Sequence, residues 1–130
     1  MNRVIIMRGL PGSGKTTKAE SYGGVIVSAD DFFMHEGEYH YDRNYIGAAH
    51  ERCRMDFIKA LSEGEPTIVV DNTNTTHREY EAYIQMAEDA GYEVIIDVVD
   101  SGLSAEELAQ RNTHGVPVEG IQRMMNRWES

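Results

Sequence analysis

The amino-acid sequence predicts a doubly wound α/β domain, a parallel sheet of at least four strands with helices on both faces. Three observations predict it. Val4-Ile5-Ile6-Met7, Val25-Ile26-Val27 and Thr67-Ile68-Val69-Val70 are short apolar runs without polar alternation, the character of parallel strands buried on both sides. Stretches with apolar residues at three- and four-residue spacing alternate with these runs, so strand and helix follow each other along the whole chain. Between the first run and the first helical stretch stands Gly9-Leu10-Pro11-Gly12-Ser13-Gly14-Lys15-Thr16.

Taken in order, the first strand spans Arg3 to Arg8 and leads into that glycine-rich octet, which matches G-x-x-x-x-G-K-[ST], the P-loop of nucleoside-triphosphate-binding (P-loop NTPase) domains. Each fixed position has a mechanical reason. The glycines let the backbone curl until successive N–H groups face phosphate oxygens, and the following helix adds its N-terminal dipole. Lys15 reaches the β- and γ-phosphates, and the Thr16 hydroxyl is placed to ligate Mg²⁺. Gly9, Pro11, Gly12, Ser13, Gly14, Lys15, Thr16 and Thr17 form the expected nucleotide-binding set. Lys15 is expected to serve the triphosphate and not the core.

The P-loop helix runs to about Tyr22 and ends at Gly23-Gly24; strand two is Val25 to Val27, with Ser28-Ala29-Asp30-Asp31 at its carboxyl end, where open α/β sheets bind ligands. Phe32 to Asn44 loses periodicity and reads as a substrate-facing loop. A helix from Tyr45 to about Ser62 places Ile46, Ala49, Cys53, Phe57, Ala60 and Leu61 on its core face. Thr67 to Asp71 is the third strand and closes on an acid. Thr76-x-x-Glu79 reads as a capping box for a helix with Tyr80, Tyr83, Ile84 and Ala87 inward, stopped by Gly91. Tyr92 to Val99 is the fourth strand. Ser104-x-x-Glu107 caps a short helix carrying Arg111-Asn112, and Pro117 opens a last helix with Val118, Ile121, Met125 and Trp128 on one stripe.

Composition narrows the function. One hundred and thirty residues are read as a single domain over residues 1–130. Twelve basic against 22 acidic side chains leave a formal charge of −10, which argues against lying along a nucleic-acid duplex but not against gripping one end. One cysteine, Cys53, excludes an intrachain disulfide and a cysteine-rich zinc site. No apolar run is long enough to span a membrane, and the first strand follows without a signal-peptide pattern, so the expectation is a cytoplasmic chain with no membrane partner. Its oligomeric state is not legible. The histidines of the 35–40 loop lack metal-ligand spacing.

Ser-Ala-Asp-Asp-Phe-Phe after strand two, Val-Asp-Asn-Thr-Asn after strand three and Gln-Arg-Asn-Thr-His-Gly-Val-Pro before the last helix, together with the P-loop, resemble the P-loop polynucleotide kinases, in particular their compact phage-type branch. The resemblance spans nearly the whole chain. It implies an ATP- and Mg²⁺-dependent phosphotransferase acting on a hydroxyl, first among them the 5′-hydroxyl of a nucleic-acid end or nucleotide. A small-metabolite kinase and a nucleotide-binding switch without transferase activity remain as alternatives. In the resembling kinases the second acid of the pair is the general base, which falls on Asp31; Asp30 then supports it or the metal, or caps the turn. Asp71 would hold Mg²⁺ with Thr16, directly or through water. Thr73 and Asn74 would hydrogen-bond the acceptor or its phosphate, unless the asparagines serve the turn. Arg111 corresponds to the lid arginine over the triphosphate, with an exposed helix arginine as the bland reading. The phage enzymes carry an arginine three residues after the base, where Met34 stands here. Arg43, or Arg54 with His50, is a candidate for its acceptor contact.

Overall fold

The computed structural model describes residues 1–130. In chain order the elements are β1 (Arg3–Arg8), α1 (Lys15–Ser21), β2 (Val25–Val27), β3 (Met34–His35), β4 (Glu38–Tyr39), α2 (Ile46–Ser62), β5 (Thr67–Asp71), α3 (Glu81–Asp89), β6 (Glu93–Val98), α4 (Ala105–Arg111) and α5 (Val118–Arg127), with 3₁₀ turns at Ala29–Phe33, Arg43–Tyr45 and His77–Glu79. Four strands form one parallel sheet in the order β2-β5-β1-β6. The central pair is in register from Arg3 opposite Thr67 to Met7 opposite Asp71, which brings Asp71 level with the start of the P-loop.

Strand alternation divides the core into two layers. Val4, Ile6, Ile68 and Val70 point to one face and pack with Ala49, Cys53, Phe57 and Ala60 of α2 and Tyr83 and Ala87 of α3. Ile5, Met7 and Val69 point to the other and meet Ala19 of α1. A third cluster, Ala105, Leu108 and Ile121, joins α4 to α5 beside Leu10, so the last two helices pack against the P-loop itself.

Four expectations change. The 32–44 segment holds a two-stranded antiparallel hairpin, with Met34 opposite Tyr39 and His35 opposite Glu38. Its two-residue turn, Glu36-Gly37, has φ of 51° and 82°, the left-handed pair that primed hairpin turns require. Ile46 is 40% exposed and outside the core, at the first position of α2. Thr76-x-x-Glu79 opens a 3₁₀ turn and α3 starts only at Glu81. Glu79 there turns back to accept from the Thr75 amide and from the Thr75 and Thr76 hydroxyls, at 3.2, 2.7 and 3.1 Å. The last strand is Glu93–Val98, shorter by one residue at each end than expected. The Ser104–Glu107 capping box forms as read.

Candidate active site

A cleft of about 660 Å³ opens at the carboxyl edge of the sheet, walled by the P-loop, the 3₁₀ turn after β2, the loop after β5 and the α4–α5 loop. At its floor the Lys15 Nζ donates to Asp71 Oδ1 at 2.5 Å, and the Thr16 hydroxyl donates to Asp71 Oδ2 at 2.9 Å. The Lys15 and Asp71 side chains are only 10% and 5% exposed, so each charge depends on the other for compensation. Lys15 is therefore tied into the fold as well as placed for a phosphate, contrary to the expectation that the interior does not need it.

The P-loop residues suit a polyanion. Gly12 and Gly14 have φ of 83° and 92°, and a Cβ on Gly12 would lie 2.6 Å from the Leu108 carbonyl oxygen. α4 approaches the loop too closely for any other residue there. The Ser13 hydroxyl is buried without a protein partner, a donor left for a ligand oxygen. Thr16 and Asp71 present two hard oxygen donors side by side, as suits Mg²⁺, which takes few protein ligands and keeps water and phosphate for the rest.

The two acids after β2 point to different places. Asp30 lines the cleft, and its carboxylate accepts from the Tyr39 hydroxyl at 3.2 Å while the His114 Nδ1 stands 3.4 Å from its other oxygen. Asp31 does not line the cleft; the charges around it are Asp30, Asp56 and Arg52 of α2, and Asp71. Burial, then repulsion from Asp30 and Asp56, pushes the Asp31 carboxyl above its ordinary value. Of the pair it is Asp30 that lines the cleft, whereas the sequence reading gave the base to Asp31. The third residue beyond Asp30 is Phe33, which is buried in the core.

The α4–α5 loop is built around Asn112. Its Nδ2 donates to the carbonyls of Leu108, Ala109 and Val116, and its Oδ1 accepts from the amides of His114 and Val116. Arg111 and His114, on either side of it, both line the cleft. The His114 ring stacks on Tyr39 with centroids 4.0 Å apart and planes 16° from parallel. Burial, helped by Asp30, raises the Tyr39 phenol well above its usual value, so it remains a hydrogen-bond donor.

Of the expected acceptor contacts, Thr73 lines the cleft and Asn74 does not. Asn74 has φ of 48°, is 2% exposed and donates from its side chain to the Met7 carbonyl at 2.7 Å, so its function is to pin the loop. Asn72 likewise accepts from the Ala29 amide and ties β5 to the turn bearing Asp30. Arg43 and Arg54 lie outside the cleft, whereas His50 lines it, and burial first of all pushes its imidazole below the ordinary histidine value. Sequence reading missed Tyr39, and it missed Arg123 and Arg127 of α5, which also line the cleft; the i, i+4 spacing of the two arginines is the signal that places them on one helix face. It missed Arg8 too. That guanidinium is buried behind the P-loop, stacked at 5.0 Å on Tyr80 and 4.5 Å on Trp128, and donates to the carbonyls of Asn74, Thr75 and Glu129.

A protein-family model described as an AAA domain matches residues 4–130. The chain belongs to that family. It is similar to human NEDD4-binding protein 2, at 36% identity over 97% of this chain, and spans 8% of that protein's length. Among solved structures, a chain of the Pnkp1/Rnl/Hen1 RNA repair complex superposes with a TM-score of 0.71 at 22% identity, over 97% of this domain and 43% of that chain. A gluconokinase from Sinorhizobium meliloti 1021 gives 0.60 at 16% identity, over 98% of this domain and 75% of that chain. The fold is that of the P-loop kinases. No helix of the domain is long and apolar enough to cross a membrane.

Proposed function

We propose that this domain is an ATP- and Mg²⁺-dependent kinase of the cytoplasm that transfers the γ-phosphoryl group to a hydroxyl, first the 5′-hydroxyl of a nucleic-acid end or nucleotide. The observation that carries the reading is that Asp30 shares one cleft with Lys15, Thr16 and Arg111, with Asp71 bonded to Lys15 and Thr16. Transfer requires the triphosphate held, its charge balanced, the acceptor oxygen placed in line and its proton removed. With a triphosphate bound, Lys15 would pair with its phosphates, and Asp71 and Thr16 would hold Mg²⁺. When bound, the ion offsets charge on the β- and γ-oxygens. Asp30 takes the proton of the attacking hydroxyl as its oxygen bonds to phosphorus and ADP leaves, and Arg111 stabilises the charge that develops.

The stacked rings of Tyr39 and His114 beside Asp30 support a planar acceptor such as a nucleobase-bearing end, since aromatic faces take bases of any sequence. The likeness to a gluconokinase and the charge of −10 favour a second reading, a small polyol or sugar acid as acceptor. A panel of 5′-hydroxyl oligonucleotides, nucleosides and sugar acids with labelled ATP tests both, with Asp30→Asn as the control. Label on an oligonucleotide or nucleotide that disappears in Asp30→Asn supports the first. ATP binding with no labelled product across the panel replaces transfer by a nucleotide-binding switch.

A further inference from the structure

We propose that the α4–α5 loop holds the general base as well as the nucleotide, with His114 and Tyr39 as positioning residues for Asp30. The inference rests on the kinase reading above and adds to it how the two ends of the transfer are closed together.

Asp30 is not fixed by its own turn. The Ser28 hydroxyl that caps the turn accepts from the Asp30 amide at 3.2 Å, which sets the backbone but leaves the carboxylate to be oriented by other elements. Two distant segments do so, the β3–β4 hairpin through the Tyr39 hydroxyl on one carboxylate oxygen and the α4–α5 loop through His114 Nδ1 on the other. The two partners also hold each other by the Tyr39–His114 stack. A carboxylate bonded at one oxygen and faced at the other by the imidazole is confined in orientation, and an in-line reaction is sensitive to such placement.

The same loop carries Arg111, and the five hydrogen bonds of Asn112 make Leu108 to Val116 one rigid piece. Gly12 of the P-loop packs against its base, where a Cβ would touch Leu108, Asn112 and Arg111. Whatever seats Arg111 on the triphosphate therefore also seats His114 on Asp30. One rigid segment thus connects the acceptor-side base to the donor-side arginine.

His114→Ala, His114→Asn, His114→Gln and Tyr39→Phe are compared with Asp30→Asn for ATP affinity, acceptor KM and kcat. His114→Ala should lower kcat by about 10- to 100-fold, the scale of a misplaced catalytic group, with ATP affinity and KM within about twofold. Asn carries its Nδ2 where the imidazole carries Nδ1 and should recover much of the rate; Gln, whose amide reaches further, should not. Tyr39→Phe should fall in kcat alone. In NMR spectra the His114 ring protons should be shifted upfield by the Tyr39 ring and lose that shift in Tyr39→Leu. Unchanged kcat in His114→Ala while Asp30→Asn is inactive overturns this inference and leaves the kinase reading standing. Loss of ATP affinity equal to the loss of kcat makes His114 a phosphate contact and overturns it too, as does the absence of the ring-current shift. An Asp30→Asn enzyme that retains transfer overturns both.

Discussion

Adjacent acids illustrate what a linear sequence conceals. In a 3₁₀ turn successive side chains are about 120° apart, so Asp30 and Asp31 cannot face the same space, and no residue type tells which one meets the cleft. Asp30→Asn is expected to leave ATP binding intact and cut turnover by roughly 10²-fold or more, while Asp31→Asn costs little; steady-state kinetics of the two variants check it. Asp31 makes a second, independent prediction. Its carboxyl is raised in the folded state, so the folded chain holds that proton more tightly than the unfolded chain and stability declines as pH rises through the ordinary carboxylate value to the raised one. Asp31→Asn should therefore melt higher than wild type at pH 7, with the difference vanishing near pH 3. The sequence motif offers Lys15 to a phosphate but does not reveal it as half of a buried ion pair, since the pair spans 56 positions of sequence. Lys15→Ala should lose ATP affinity and also lower stability by about 3 kcal/mol, because Asp71 is left buried without its counter-ion. Adding Asp71→Asn should restore much of that stability without restoring ATP binding, which a denaturant titration of single and double variants would show.

At the scale of elements, long periodic segments were legible and short ones were not. The sheet strands β1, β2 and β5, and the span of α2, follow from aliphatic runs and helical spacing, because burial on a sheet face imposes a pattern over many residues. A hairpin of two-residue strands has no room for a pattern, and its Glu36-Gly37 turn lacks the usual Asn or Asp at the first position. That hairpin nonetheless brings Tyr39 to Asp30. The Asn74 contact was hidden for another reason: Asn suits both a left-handed turn and a ligand, and only the nearby Met7 carbonyl decides. The α4–α5 loop was legible as a motif, while the centring of its bonds on Asn112 was not. Asn112→Ala removes five hydrogen bonds at once and should reduce both ATP affinity and kcat, in contrast to His114→Ala, and lower stability by about 1–3 kcal/mol. Isothermal titration with ATP and thermal melts separate the two variants.

Over the whole molecule, the distribution of charge decides how a nucleic-acid acceptor is held. The chain carries 12 basic and 22 acidic side chains, so a long polyanion laid across its surface meets net repulsion. Yet Lys15, Arg111, Arg123 and Arg127 all line the one large cleft, at the sheet edge where β1 and β5 end. Lys15 and Arg111 are committed to the triphosphate in the proposed reaction, and Arg127 already donates from Nε to the Thr75 hydroxyl at 2.9 Å. Few of these cleft cations remain for the acceptor. A 5′-hydroxyl strand should then be gripped by its terminal nucleotide and about one to three phosphates, which for single strands corresponds to a slope of log affinity on log salt of roughly −0.7 to −2. Length beyond the first few nucleotides should add little. Titrating a short and a long 5′-hydroxyl oligonucleotide at several salt concentrations measures both quantities. A slope near −5, or affinity that climbs steadily with length, would mean that a basic surface elsewhere on the chain, and not this cleft, holds the strand.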